Sequence, residues 1–175
     1  MLGLGRVIDV IPLVEPIDLD NSQSGDQFSL RDAGGVDLFF FTGVGANGRD
    51  LTFTVKKHVD MADASGTTID LSAISHPYYY YKKGSAATAV GVGTWSRGSL
   101  ADTDGASVVL DTDEGETSAL ICFHIAAADL GAGYSALSVS AVVAGGSGAK
   151  LGAAWANLVD LDVQRVPTNL RTALA

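Results

Sequence analysis

VDLFFFTGVGANGRDLTFTVKKH, Val36 to His58, is the stretch on which the fold turns. Two apolar runs flank a loop containing Gly43, Gly45, Asn47 and Gly48, a composition that supplies positive φ. After the loop, Leu51, Phe53 and Val55 alternate with Thr52, Thr54 and Lys56. That period of two describes a strand with one dry face and one wet face. The stretch predicts a hairpin whose loop exceeds the two-residue minimum. Phe39 and Phe41 would share one face of the first strand, with Phe40 on the other.

The same signature recurs along the chain. QFSL (27–30), TTIDLSAI (67–74), YYYYKKG (78–84), ASVVLDTDEGE (106–116), SALICFHI (118–125) and ALSVSAVV (136–143) are short β runs separated by glycine or acidic turns. KLGAAWANLVDL (150–161) fits a strand or a short helix, and strand is favoured. No long segment has helical periodicity. The pattern predicts an all-β fold, an antiparallel β-sandwich or barrel-like, jelly-roll-type single domain over residues 25–165. Residues 1–24 read as an extended N-terminal arm, since Pro12 and Pro16 bias their surroundings away from helix. Residues 166–175 read as a tail. The candidate core is Phe39, Phe41, Leu51, Phe53, Val55, Leu120, Cys122, His124, Leu137, Val139 and Trp155.

Composition narrows function. Of 175 residues 47% are hydrophobic, so a packed core is expected, and only 18% are charged. The net charge of -9 disfavours nucleic acid and anionic membranes, because no basic cluster exceeds Lys56-Lys57 or Lys82-Lys83. The one cysteine, Cys122, cannot close a disulfide within the chain and reads as a small buried hydrophobe. The N-terminal stretch is interrupted by Arg6 and Asp9 and lacks a signal-peptide layout, and no apolar run reaches the ~18 residues of a membrane span.

Chemical motifs are sparse. GLG at 3–5 has Ile8 where a dinucleotide fingerprint needs its third glycine. GGSGAK at 145–150 has Ala149 before Lys150 and no Ser or Thr after it, unlike a phosphate loop. No Gly-x-Ser-x-Gly elbow occurs. His58, His76 and His124 read as structural, although His124 shares a strand face with Cys122. The acidic turns 102–105 and 111–116 place carboxylates two apart, which suits calcium, but Gly115 stands at a ligand position of the EF-hand pattern. The expectation is no enzyme, no catalytic residue, no metal and no cofactor. The Tyr78–Tyr81 cluster puts two rings on each strand face, for a core, a protein interface or a sugar.

PLVEPIDLDNSQSGDQFSLRDAGGVDLFFFTGVGANGRDLTFTVKKHVDMADAS resembles the N-terminal half of capsid decoration (cement) proteins of tailed bacteriophages. ALICFHIAAADLGAGYSALSVSAVVAGGSGAKLGAAWANLVDL is similar to their C-terminal half. The shared order runs over roughly residues 12–165. The middle, Tyr78 to Glu116, departs most, and Gln164-Arg165-Val166-Pro167 replaces the family's closing Arg-Tyr pair. The resemblance implies a structural virion protein on the outer surface of the capsid, assembled in the host cytoplasm. Its partners would be the major capsid protein and itself, with a trimer favoured, and neither nucleic acid nor membrane. The alternatives are a tail-tube or head–tail connector component, or a carbohydrate-binding adhesion module, which would need an exposed aromatic platform beside polar groups. The arm residues Leu4, Val7, Ile8, Val10, Ile11, Leu13 and Val14, the loop residues Asn47 and Arg49, and Tyr79 and Tyr81 are the candidate interface.

Overall fold

A computed structural model describes residues 8–19, 23–44, 50–84, 94–100, 107–110, 118–144 and 150–162. Among these residues the strands are β1 (Ile8–Asp18), β2 (Gln23–Ser24), β3 (Phe28–Ser29), β4 (Ala33–Thr42), β5 (Asp50–His58), β6 (Thr67–Thr68), β7 (Tyr78–Gly84), β8 (Ser96–Ser99), β9 (Ser107–Leu110), β10 (Ser118–Ala126), β11 (Ala136–Ala144) and β12 (Leu151–Leu161). The 3-10 turn Ala127–Leu130 follows β10. The fold is an antiparallel β-sandwich. One sheet, A, runs β1-β12-β4-β10-β7-β8. The other, B, runs β2-β11-β5-β6, with β3 paired to β11 and β9 to β5.

The opening stretch is therefore not a hairpin. β4 pairs with β12 and β10 in sheet A, whereas β5 pairs with β11, β6 and β9 in sheet B. The chain crosses from one sheet to the other between these two strands. Local alternation and a glycine-rich loop are common to hairpins and to such crossings, so they do not separate the two. The crossing brings Phe40 of β4 against Phe53 of β5, ring centroids 3.9 Å apart. Phe123 of β10 lies 5.6 Å from Phe40 on the same side. These rings lie at the centre of one core, with Val36, Leu38, Ile121, Ile125, Val55, Leu137, Val139, Ala154, Ala156 and Leu158.

Of the expected core, Phe53, Val55, Leu137 and Val139 are buried. In sheet A the phase is opposite to the expectation. Phe40, Ile121, Phe123 and Ala154 point inward, while Phe39, Leu120, Cys122, His124 and Trp155 are only half-buried and Phe41 is exposed. The side chain of Leu51 lies outside the described residues. β4 carries bulky residues on both faces, so side-chain bulk does not set its phase.

The N-terminal segment is extended, but Ile8–Asp18 is a strand of the sandwich, paired along β12 at the end of sheet A. Ile11, Leu13 and Val14 are core residues, not offered contacts, whereas Val10 is exposed and Ile8 half-buried. Pro12 lacks the N–H that a central strand needs, which restricts proline to edges and bulges. The register shifts between Pro12 and Val14, and again between Val14 and Ile17 across Pro16. Leu4, Val7, Asn47, Arg49, both acidic turns and the tail 166–175 lie outside the described residues.

Candidate functional site

The outward row of sheet A is continuous across its strands. Register aligns Pro12 with Trp155, Trp155 with Phe39, Phe39 with Cys122, Cys122 with Tyr80, and Tyr80 with Arg97. Neighbouring rows add Asn157, Asp37 and His124 on one side, and Ala153, Phe41, Leu120 and Lys82 on the other. Phe39 and Trp155 stack nearly parallel, at 5.3 Å and 2°. This face carries apolar and aromatic side chains where a solvated sheet face would carry polar ones.

The face has two halves. Over β1, β12 and β4 the exposed side chains are Val10, Phe41 and Leu151, with Val44 just after β4. Over β4, β10 and β7 lies a groove of about 390 Å³. Asp37, Phe39, His76, Tyr78, Tyr80, Cys122, Phe123 and His124 line it. Tyr78 and Tyr80 are 44% and 48% exposed. Their neighbours Tyr79 and Tyr81, expected as interface residues, instead pack against the core. Tyr79 lies across Gly98, its partner on β8, in space that any Cβ there would occupy. Arg97 sits over the Tyr78 ring at 4.7 Å and Lys82 over Trp95 at 5.2 Å, cation–π contacts that hold these rings in place.

The polar rim is held by two devices. His124 Nδ1 is 2.8 Å from Asp37 Oδ1 across the β10–β4 ladder. The hydrogen bond that Asp37 accepts raises the His124 pKa above its ordinary value; burial opposes this, and the charges of Asp37, Asp129 and Asp160 support it. The imidazole also lies against Gly35, where a Cβ would meet its Cε1 at 2.7 Å. The second device is Asp129 on the 3-10 turn. Its carboxylate accepts hydrogen bonds from the Ser75 N–H at 3.0 Å, the Ser75 hydroxyl at 2.9 Å and the Ala126 N–H at 3.1 Å. This latch fixes the loop before β7, and His76 stands edge-on to His124 at 5.7 Å.

Asp37, His124 and Cys122 together resemble a base–nucleophile set by composition alone. Two residues apart on one strand, the Cys122 and His124 Cα atoms are about 6.6 Å apart, and no hydrogen bond joins their side chains among the described residues. Burial, with a smaller contribution from Asp37, raises the thiol pKa, opposite to the direction that activates a cysteine. At Ser75 the order is also wrong for a triad, because Asp129 holds the serine and not the histidine. Among the described residues no three His, Cys, Asp or Glu side chains cluster as metal ligands.

His58, by contrast, is structural. It is 2% exposed, its Nε2 lies 2.7 Å from the Ser138 hydroxyl, and its Nδ1 lies 2.8 Å from the Asp63 carbonyl. The missed residues of the site are Tyr78, Asp37 and the outward Tyr80. A signal was present: β4, β10 and β12 each carry a polar residue, Asp37, His124 and Asn157, in the phase that faces out.

No protein-family model matches the sequence. No curated protein matches it. Among solved structures the chain is similar to the SPBc2 prophage-derived protein YomS, at 11% identity, covering 87% of this chain and 92% of that one, with a TM-score of 0.39. That neighbour is a prophage protein. TmCBM61 in complex with β-1,4-galactotriose follows at 13% identity, 90% and 93% coverage and a TM-score of 0.22. The adhesin domain of Lys-gingipain from Porphyromonas gingivalis W83 matches at 13% identity, 75% and 66% coverage and 0.21. Likenesses at this level carry no functional argument.

Proposed function

We propose that this chain is a non-catalytic structural virion protein that decorates the head of a tailed bacteriophage by docking on the major capsid protein lattice. The observation that supports it is the apolar half of the outer face of sheet A. Phe41 and Leu151 are 37% and 60% exposed, next to the row that carries the stacked Phe39–Trp155 pair. Contiguous apolar patches on a folded surface mark contacts with other proteins. Repetition of one modest contact over a shell gives strong attachment through multivalency. The net charge of -9 suits a place outside the shell, away from packaged DNA. On this reading the protein assembles as a homo-oligomer, a trimer being favoured, and works without a cofactor.

The test is co-sedimentation of the purified protein with capsid shells lacking it, followed by particle density. Saturable binding on the shell lattice, lowered at least tenfold by Phe41→Glu or Leu151→Glu, supports the reading. Density confined to the tail axis would favour a tail-tube or connector role instead. Light scattering of the free protein reports the oligomer.

A further inference from the structure

The groove over β10 and β7 has chemistry different from that of the apolar half. Its volume, about 390 Å³, lies in the range of small-ligand sites. Its lining is mostly aromatic, with Tyr78 and Tyr80 half exposed and Phe39 beside them. Polar groups converge at one rim. Asp37 Oδ1 accepts from His124 Nδ1, and Oδ2 accepts no hydrogen bond among the described residues. His76 is exposed, with Nδ1 engaged by the Ser75 hydroxyl at 3.1 Å and its other ring nitrogen outside that contact.

An aromatic wall with an oriented carboxylate at its rim suits one kind of ligand. A pyranose ring has a face of C–H bonds, which lies flat on an aromatic ring, and an edge of hydroxyls. Vicinal hydroxyls donate to a carboxylate oxygen and to the free nitrogen of an imidazole whose other nitrogen is engaged. The ring orientations are already fixed by Arg97 over Tyr78 and by the Asp129 latch on the loop of His76, so little side-chain entropy is lost on binding. The charge pattern selects among sugars. A uronate or a phosphate placed at the rim would be repelled by the Asp37 carboxylate, whereas a neutral sugar would not.

We propose that this groove binds a neutral saccharide, one pyranose ring stacked on Tyr80 and Tyr78 with its hydroxyls on Asp37 and His76. The proposal does not rest on capsid docking, whose exposed contacts Phe41 and Leu151 lie outside the groove lining.

The full chain would be titrated with glucose, galactose, mannose, N-acetylglucosamine and their neutral oligosaccharides, beside glucuronate and N-acetylneuraminate. Calorimetry and amide NMR read the binding. At least one neutral sugar is expected to bind saturably and to shift the amides of β7 and β10. Tyr80→Ala and Asp37→Asn should each weaken it at least tenfold with the amide spectrum otherwise intact. Phe41→Glu, at the other end of the face, should leave it unchanged while lowering shell binding, so the two readings fail separately. Silence across the neutral panel, binding untouched by Tyr80→Ala, or tighter binding of the charged sugars would overturn the proposal.

Discussion

The two outer faces of this sandwich are made from the same kind of strand and are opposite in character. The outward residues of β5 and β11 are Thr52, Thr54, Lys56, Ser138 and Ser140, with Val142 the exception. The outward residues of β4, β10, β7 and β12 include Phe39, Phe41, Leu120, Cys122, Tyr78, Tyr80 and Trp155, beside the polar Asp37, His124, Asn157 and Lys82. Both sheets share one core, so the demands of folding do not explain the difference. A sheet needs only one dry face. The second apolar face of sheet A is surplus to the fold, and its residues are those of binding surfaces: aromatics held by cations and a carboxylate paired with a histidine.

The largest expected effect separates core from face. Phe40→Ala and Phe53→Ala should each cost about 3–5 kcal/mol, since both rings are almost wholly buried at the centre of the core. Phe41→Ala should cost less than about 1 kcal/mol. Urea melts of the three variants decide this, and equal losses would mean that sheet A has no free face. A mid-sized effect is expected where Tyr79 lies over Gly98. Gly98→Val inserts bulk under that ring and should cost about 1–3 kcal/mol in the same melts.

That difference between faces also explains what could be read from the sequence. In β5 and β11 polar and apolar residues alternate, so the buried set Phe53, Val55, Leu137 and Val139 was legible. In β4 and β10 both faces are apolar, and alternation carries no phase. The phase was encoded in single polar residues, Asp37 and His124, whose outward direction outweighs the bulk of Phe39 and Phe41. The pairing of β4 and β5 with different partners depends on residues far along the chain, and no local signal reports it. The groove was half legible. Two tyrosines per face followed from strand geometry, but which two faced out depended on register against β10.

A smaller effect concerns pH. His124 has its pKa raised in the folded state, so its contribution to stability is fully present below the unfolded value of about 6.5 and is lost as pH rises through the folded value. Asp37→Asn should lower the His124 titration midpoint, read by imidazole NMR, and flatten that pH dependence. An unchanged midpoint would mean that the pair seen at 2.8 Å does not govern the ring. Asp63, beside His58 of β5, shows the opposite sign. Hydrogen bonds from Ser65, first, and then from Gly66 and Val59 hold its carboxyl below the usual carboxylate range. Its contribution is present above the unfolded value of about 3.9 and fades as pH falls through the lower folded value. Asp63→Asn should soften only this acid limb of a pH melt and leave the His124 titration as it was.

The central claim is that sheet A offers its outer face for contact and sheet B faces water. Hydroxyl-radical footprinting tests it most directly, with the protein free and then bound to shells. The account predicts that Phe41, Leu151 and Trp155 lose labelling on assembly while Val142 on sheet B keeps its own. Protection of Val142 with Phe41 and Leu151 still labelled would contradict it.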